Sequence, residues 1–329
     1  MQPPQRFFLA RMDVESQQDA FRRDVAQGLA RPCKVLPAKY FYDAPGCQLY
    51  EQICALPEYY PYRAEKEILA SYAAEIHAAI GHLALVELGS GNASKTRHVL
   101  NEYERAARPF MYCPVDIALA PLQEMATTLL PVYTQMTLYA LQADFARDPG
   151  VLRTLPRVAR AIAFFGSSLG NWTPEESGVF LQHIAAMMGS EDVFLLGLDL
   201  KKSAAILEPA YDDAQGVTAA FNLNLLQRIN RELGADFQPG TFAHVAFYNA
   251  AQGRVEMHLR SLLAQQVHIA RTAQVIHFAA GETIHTENSY KYSLAEVQAL
   301  GAQAGLTLER TWLDRQQYFV LALLRKTTP

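Results

Sequence analysis

The sequence predicts an α/β protein: a mostly parallel sheet flanked by helices, closed by an antiparallel hairpin and interrupted by an α+β insert. Three observations carry this. An apolar run, Leu83 to Leu88, leads into Gly89-Ser90-Gly91 and then a polar stretch that opens a helix running to Leu100. Strand-like runs recur at roughly 30-residue intervals up to Leu200, alternating with helical patterns. The tail reads as a helix, Leu294 to Ala304, and two strands, Leu306 to Asp314 and Tyr318 to Arg325, joined by a short polar turn.

The chain has 329 residues, half of them hydrophobic and 19% charged, enough for one large domain or two moderate ones and too apolar for disorder. A net charge of −4, with no Lys/Arg-rich run, argues against nucleic acid as a partner. Residues 1–15 lack the apolar core and cleavage site of a secretory signal. No stretch approaches the ~20 apolar residues of a membrane span. Cys33, Cys47, Cys54 and Cys113 show no C-x-x-C spacing, and the nine histidines no H-E-x-x-H. The expectation is a cytoplasmic protein with reduced thiols and no metal.

In order along the chain, the first element is a helix over 14–28, with Val14, Phe21, Val25 and Leu29 at helical spacing and Pro32 ending it. Pro37 to Gly46 is a compact loop holding Tyr40, Phe41 and Tyr42, and Cys47 to Ala55 is a helix. Pro57 and Pro61 bracket Tyr59-Tyr60 and predict an extended segment. That pair reads either as a corner of the core or as a pocket wall presenting hydroxyls. One helix over 64–80 then covers the sheet. After the glycine turn, strands are expected at 110–116, 137–145 and 192–200, and from Ala161 into the small-residue loop Gly166–Asn171. Helices are expected at 120–130 and 181–188. From Lys201 the period changes. Residues 208–232 are helical with a break at Gly216, and Phe242–Asn249, Arg254–Leu262 and Gln265–Phe278 alternate as strands. Gly281 to Tyr292 returns the chain toward the sheet.

Gly89 and Gly91 let a ligand approach the backbone, beside a helix N-terminus rich in free N–H groups. A dinucleotide fingerprint needs a third glycine at position 94, where Ser94 stands. Glu87, still on the strand, precedes Gly-x-Gly. That combination suits S-adenosylmethionine (SAM), which has no pyrophosphate and carries cationic groups, better than NAD. Asp116 ends the next strand about 25 residues on, near the spacing that places a carboxylate on a ribose. Asp144-Phe145 ends the third strand; it reads either as a reader of adenine or as a helix cap followed by a core ring. Glu87, Gly89, Asp116, Asp144 and Gly166–Asn171 all fall at the C-terminal edge of the predicted sheet, where such folds bind ligands. A closing helix and hairpin is the ending of class I methyltransferases and is missing from an all-parallel nicotinamide domain.

Longer segments add to this: Lys39-Tyr40-Phe41-Tyr42-Asp43, Leu56-Pro57-Glu58-Tyr59-Tyr60-Pro61, Glu87-Leu88-Gly89-Ser90-Gly91, Gly166-Ser167-Ser168-Leu169-Gly170-Asn171, Tyr211-Asp212-Asp213, Gly216-Val217-Thr218-Ala219, Phe221-Asn222-Leu223-Asn224 and Ile284-His285-Thr286-Glu287-Asn288-Ser289. Together they resemble one family almost end to end, the bacterial SAM-dependent L-histidine Nα-methyltransferases of ergothioneine biosynthesis. The resemblance implies a cofactor site of Tyr42, Gly89, Lys95, Asp116, Asp144 and Phe145 with the Gly166–Ser168 loop, to which the glycine turn adds Glu87 and Gly91. It implies that Tyr59, Asn171 and Tyr211 hold the substrate's amine and carboxylate, that Glu287 and Ser289 grip the imidazole, and that Met257 packs near the ring. Asn92-Ala93-Ser94 and His258 depart from the family pattern.

The residues agree with that implication. Glu287 and Ser289 face one way along a strand, and a carboxylate with a hydroxyl can bond both nitrogens of one imidazole. A lone Glu is more often exposed, and burying one without a partner is costly.

The expected division is a Rossmann-like SAM domain over 62–200 and 290–329 and a substrate-binding α+β domain over 14–61 and 201–289. The expected reaction is three successive in-line methyl transfers to the α-amine, ending at hercynine, with Tyr42 and Tyr59 as the catalytic hydroxyls. Alternatives are the same chemistry on another amino acid or small amine, a nicotinamide oxidoreductase, or a noncatalytic SAM-binding protein. A monomer acting on a free small molecule, without nucleic acid or membrane, is expected.

Overall fold

The computed structural model describes residues 5–12, 17–146 and 149–327. The elements run β1 (Phe7–Arg11), α1 (Gln17–Leu29), β2 (Lys34–Val35), α2 (Ala44–Ala55), α3 (Tyr60–Ser71), α4 (Ala73–Ile80), β3 (Ala84–Leu88) and α5 (Arg97–Arg105). They continue through β4 (Phe110–Asp116), α6 (Leu119–Leu129), β5 (Met136–Gln142), β6 (Arg160–Phe164), α7 (Pro174–Met187), β7 (Val193–Asp199), α8 (Ala204–Leu207) and α9 (Val217–Leu233). The remainder is β8 (Phe242–Asn249), β9 (Arg254–Ser261), β10 (Gln265–Ile269), β11 (Gln274–Phe278), β12 (Thr283–Tyr290), α10 (Leu294–Gln303), β13 (Leu306–Leu313) and β14 (Phe319–Lys326). Two compact units share the chain. One comprises Met1–Val14, Arg63–Leu200 and Tyr292–Pro329; the other comprises Glu15–Tyr62 and Lys201–Lys291.

The first unit is built on an eight-stranded sheet in the order β1-β5-β4-β3-β6-β7-β14-β13. Strands β1 to β7 in this sheet pair in parallel, and β14 and β13 close it antiparallel. The order reverses between β3 and its neighbours β4 and β6, the switch point where open α/β sheets bind ligands. Side chains alternate into two apolar layers. Val86, Leu88, Val115, Ile162 and Phe194 enter one, and Leu85, Tyr112, Leu138, Ala163 and Leu195 the other. Burial on both faces is why these strands read as unbroken apolar runs.

Strand β1, an edge strand pairing Leu9 with Ala140, was not anticipated. Its five residues have no turn chemistry to announce them. The single helix expected over 64–80 is two, broken at Tyr72. In the segment expected to be extended, Tyr59 precedes α3 and Tyr60 starts it, with Pro61 in its first turn. Proline fits there because the first helical amides need no partner.

The second unit holds a four-stranded sheet, β2-β12-β9-β8, and a separate hairpin, β10-β11. Helix α9 buries Phe221, Leu225, Leu226 and Ile229 along one face, and α2 packs on it. Asp213 accepts the Val217 and Thr218 amides at 3.0 and 2.7 Å and so caps α9, after a left-handed Gly216. The strand expected over Gln265–Phe278 is the β10-β11 hairpin, whose turn ends at Ala273 with φ 51°. No helix among the described residues is long and apolar enough to cross a membrane.

Candidate functional site

At the end of β3 the chain turns through Gly89 and Gly91, with φ of 68° and 51°. A Cβ at Gly89 would lie 3.6 Å from Phe145 Cζ, while nothing stands within 4 Å of one at Gly91. The turn is therefore covered by an aromatic ring at one glycine and open at the other. Asp116, ending β4, accepts the Gly91 amide at 3.0 Å and the Ala118 amide at 2.9 Å, and burial raises its carboxyl above the usual range. Asp144 and Phe145 follow β5, the ring edge-on to Phe164 with centroids 5.6 Å apart. Gly89, Gly91, Asp116, Asp144 and Phe145 are thus gathered at the C-terminal ends of three adjacent strands.

After β6 come Gly166 and Ser167, both left-handed at φ 79° and 56°. The Ser167 hydroxyl accepts the Asp199 amide at 2.9 Å and locks the loop to β7. Asn171 closes the helical turn that follows. Lys95 forms an ion pair with Glu65 of α3, whose other oxygen accepts the Gly166 amide at 2.7 Å. Glu65 is fully buried, and a Cβ at Gly197 of β7 would meet its Oε1 at 2.2 Å. Neither Glu65 nor Gly197 stands out in the sequence, because a charged residue inside an amphipathic helix gives no local sign of where it points.

Glu87 stands differently from its expected role. It alternates onto the same layer as Leu85 and is 3% exposed. Its two oxygens are engaged by the Thr96 hydroxyl at 2.7 Å and by the Tyr112 hydroxyl. Burial raises its carboxyl to about 7 against those two bonds. The side chain joins β3, β4 and the start of α5 from behind the glycine turn.

In the second unit a line of tyrosines runs from α2 toward Tyr211. Tyr42 meets Tyr50 edge-on at 5.4 Å, Tyr50 meets Tyr59 at 6.2 Å, and Tyr59 meets Tyr211 at 6.2 Å. Tyr50 was not anticipated, although it lies eight residues from Tyr42 on one turn-and-helix segment. Burial holds the phenols of Tyr50 and Tyr59 well above their ordinary value; that of Tyr42 is raised too, by desolvation of its hydroxyl end and the charge of Glu287, although 43% of the residue is exposed. Tyr42's neighbours in its motif are structural. Tyr40 donates to Asp24 at 2.6 Å, and Asp43 caps α2 at Gly46 and accepts from Asn224, both at 2.8 Å.

On β12, Glu287, Ser289 and, just past the strand, Lys291 fall at two-residue spacing on one face. Met257, 1% exposed, is the register partner of Glu287 on β9. The Glu287 carboxylate has no hydrogen-bond partner among the described residues, and burial raises it to about 7 while Lys291 pulls it down. Lys291, 3% exposed, donates to Ser289 Oγ at 2.7 Å and to the Tyr211 hydroxyl at 2.8 Å. Those two hydroxyls are 2.7 Å apart. Lys291 was missed by the sequence reading, yet the period-2 spacing Glu-x-Ser-x-Lys was there to find it.

The next register pair, His258 and His285, forms a cluster with Glu256 whose potential ligand atoms lie within 4.8 Å of one another. The imidazoles stack at 4.5 Å with planes 16° apart. Their in-plane lone pairs therefore run side by side rather than converge on one ion, and Arg254 and Asn249 already engage Glu256.

Residues 21–326 match the family model of SAM-dependent, histidine-specific methyltransferases. The chain belongs to that family. The methyltransferase is 42% identical to the histidine N-alpha-methyltransferase of Mycolicibacterium smegmatis over 94% of this chain and 96% of that protein. It is 43% identical to that of Mycobacterium tuberculosis over 93% and 95%. An L-tryptophan methyltransferase of Psilocybe serbica is 28% identical over 92% of each. The first unit of this methyltransferase fits SAM on its own geometry. The glycine turn is open at Gly91, has the Phe145 ring over Gly89, and meets Asp116, a carboxylate that can accept from a nucleoside's hydroxyls.

Proposed function

We propose that the protein transfers methyl groups from SAM to the α-amine of L-histidine, in three steps ending at trimethylhistidine (hercynine). The observation that carries the histidine reading is Glu287. It is a partly buried carboxylate with no hydrogen-bond donor of its own among the described residues, two positions from a hydroxyl on the same strand face. An imidazole N–H answers the carboxylate, the second ring nitrogen answers Ser289, and Met257 packs against the ring. An indole has one N–H and no second nitrogen, so it would leave Ser289 unanswered.

In this reading Tyr59, Asn171 and Tyr211 hold the amine and carboxylate, and Tyr211 also meets the imidazole end through Ser289. Tyr42, Gly89, Gly91, Lys95, Asp116, Asp144, Phe145, Gly166 and Ser167 form the SAM site, with Glu87 bracing the turn from behind. SAM, when bound, supplies a methyl group on a positively charged sulfur. The chain's own residues position the nucleophile. The α-amine of a free amino acid must shed a proton before it attacks, and most of the rate then comes from holding its lone pair about 3 Å from the methyl carbon. Protons must leave between transfers. Because Tyr42 and Tyr59 keep their own protons, they relay by accepting an N–H and passing a proton to water. Their ring faces tolerate the growing ammonium.

The same reading makes the protein a cytoplasmic monomer acting on a free amino acid, without nucleic acid or membrane. The test is mass spectrometry of histidine incubated with the purified protein and SAM. Mono-, di- and trimethylhistidine are expected in sequence. Label transfer from SAM to a different amino acid among the twenty, with none to histidine, would overturn the reading.

A further inference from the structure

We infer that Lys291 is a positioning residue that fixes Ser289 as a hydrogen-bond donor, so that the site takes the ring of its substrate as neutral imidazole. The inference rests on the proposed binding of that ring by Glu287 and Ser289, and deepens it.

An ammonium only donates, so Ser289 Oγ and the Tyr211 hydroxyl both accept from Lys291, at 2.7 and 2.8 Å. The two hydroxyls also share a hydrogen bond of 2.7 Å. The phenol is the stronger acid and gives its hydrogen to the serine. Ser289 Oγ then accepts twice and has used both lone pairs, and the hydroxyl's one hydrogen remains to be donated. Ser289 is 4% exposed and Lys291 3%, so water does not compete to reset this arrangement. Glu287, on the same face, can accept.

The pair therefore offers one donor and one acceptor. A neutral imidazole, with one N–H and one bare nitrogen, satisfies both. An imidazolium carries two N–H groups and would press one of them against Ser289's own hydrogen. Without Lys291, Ser289 regains a lone pair and this discrimination relaxes.

The test is 15N NMR of ring-labelled histidine bound with S-adenosylhomocysteine. One protonated and one bare, hydrogen-bonded ring nitrogen are expected in the unaltered protein; two protonated nitrogens overturn the inference whatever any variant does. In Lys291→Met the bare-nitrogen resonance should move, and the KM for histidine should rise about tenfold while S-adenosylhomocysteine affinity stays within threefold. An unmoved resonance in a folded Lys291→Met protein also overturns it. If the unaltered protein methylates histidine but binds it as imidazolium, only this inference fails. If it does not methylate histidine, the functional reading fails first.

Discussion

The carboxylate of Glu65 accepts the backbone hydrogen of Gly166 at 2.7 Å, across 101 positions of chain. The same side chain pairs with Lys95, so one buried acid on α3 ties together the loop after β6 and the start of the segment after the glycine turn. Removing it takes away the ion partner of Lys95 and the acceptor of a loop amide at once. Glu65→Ala should lower stability by about 3–5 kcal/mol and weaken S-adenosylhomocysteine binding at least about tenfold. Gly197→Ala should act in the same direction, because its methyl would occupy the space of Glu65 Oε1. Thermal unfolding and titration calorimetry check both; unchanged cofactor affinity in Glu65→Ala would separate Glu65 from the site.

Glu287→Ala removes the acceptor for an imidazole N–H. A hydrogen bond to a charged group contributes roughly 1.5–3 kcal/mol, so the KM for histidine should rise about 10–100-fold. Steady-state kinetics at saturating SAM measures this, and an unchanged KM would reject imidazole recognition by this residue.

The protonation of Glu287 links to stability. Its carboxyl lies at about 7 in the folded protein against 4.5 ordinarily, so the folded state holds the proton more tightly than the unfolded one. Stability is then lost as pH climbs from about 4.5 to 7, and the cost is constant above that. Allowing for partial exposure, Glu287→Gln should stabilise the substrate-free protein by ~1–2 kcal/mol at pH 8 and by almost nothing at pH 4. Urea unfolding at the two pH values gives the difference; an equal effect at both would contradict the linkage.

Tyr42→Phe keeps the ring and deletes the hydroxyl. The ring face should still tolerate a cation, while proton departure slows, so the second and third transfers should fall by about tenfold or more relative to the first. Following mono-, di- and trimethyl products separately over time decides this. Equal rates for all three, unchanged from the unaltered protein, would remove the tyrosine from the proton path.

The elements that read best from the sequence are those whose burial leaves a one-dimensional trace. Phe110–Asp116 and Phe242–Asn249 match the expected strands residue for residue, one as an apolar run buried on both faces and one bounded by a polar turn. The misreadings are equally specific. Pro61, expected to hold the chain extended, sits in the first turn of α3, where a proline is equally at home. The β10-β11 turn carries Ala273, not glycine, in the left-handed region, so nothing local divided Gln265–Phe278 in two.

By itself the sequence determined the alternation of strands and helices, the glycine turn with its acids at strand ends, and the pairing of Glu287 with Ser289 on one strand face. These are short-range patterns, set by the periods of helix and strand and by the conformations glycine allows. Tertiary structure alone decided whom each polar side chain meets. Glu87 turned from the expected ligand toward Thr96 and Tyr112, Glu65 reached Gly166, and Tyr211 closed on Ser289 across 78 positions. Such partners depend on sheet register and helix packing, and burial makes an unmet charge or hydroxyl costly, a cost the fold meets at Glu65 and Glu87 and leaves standing at Glu287.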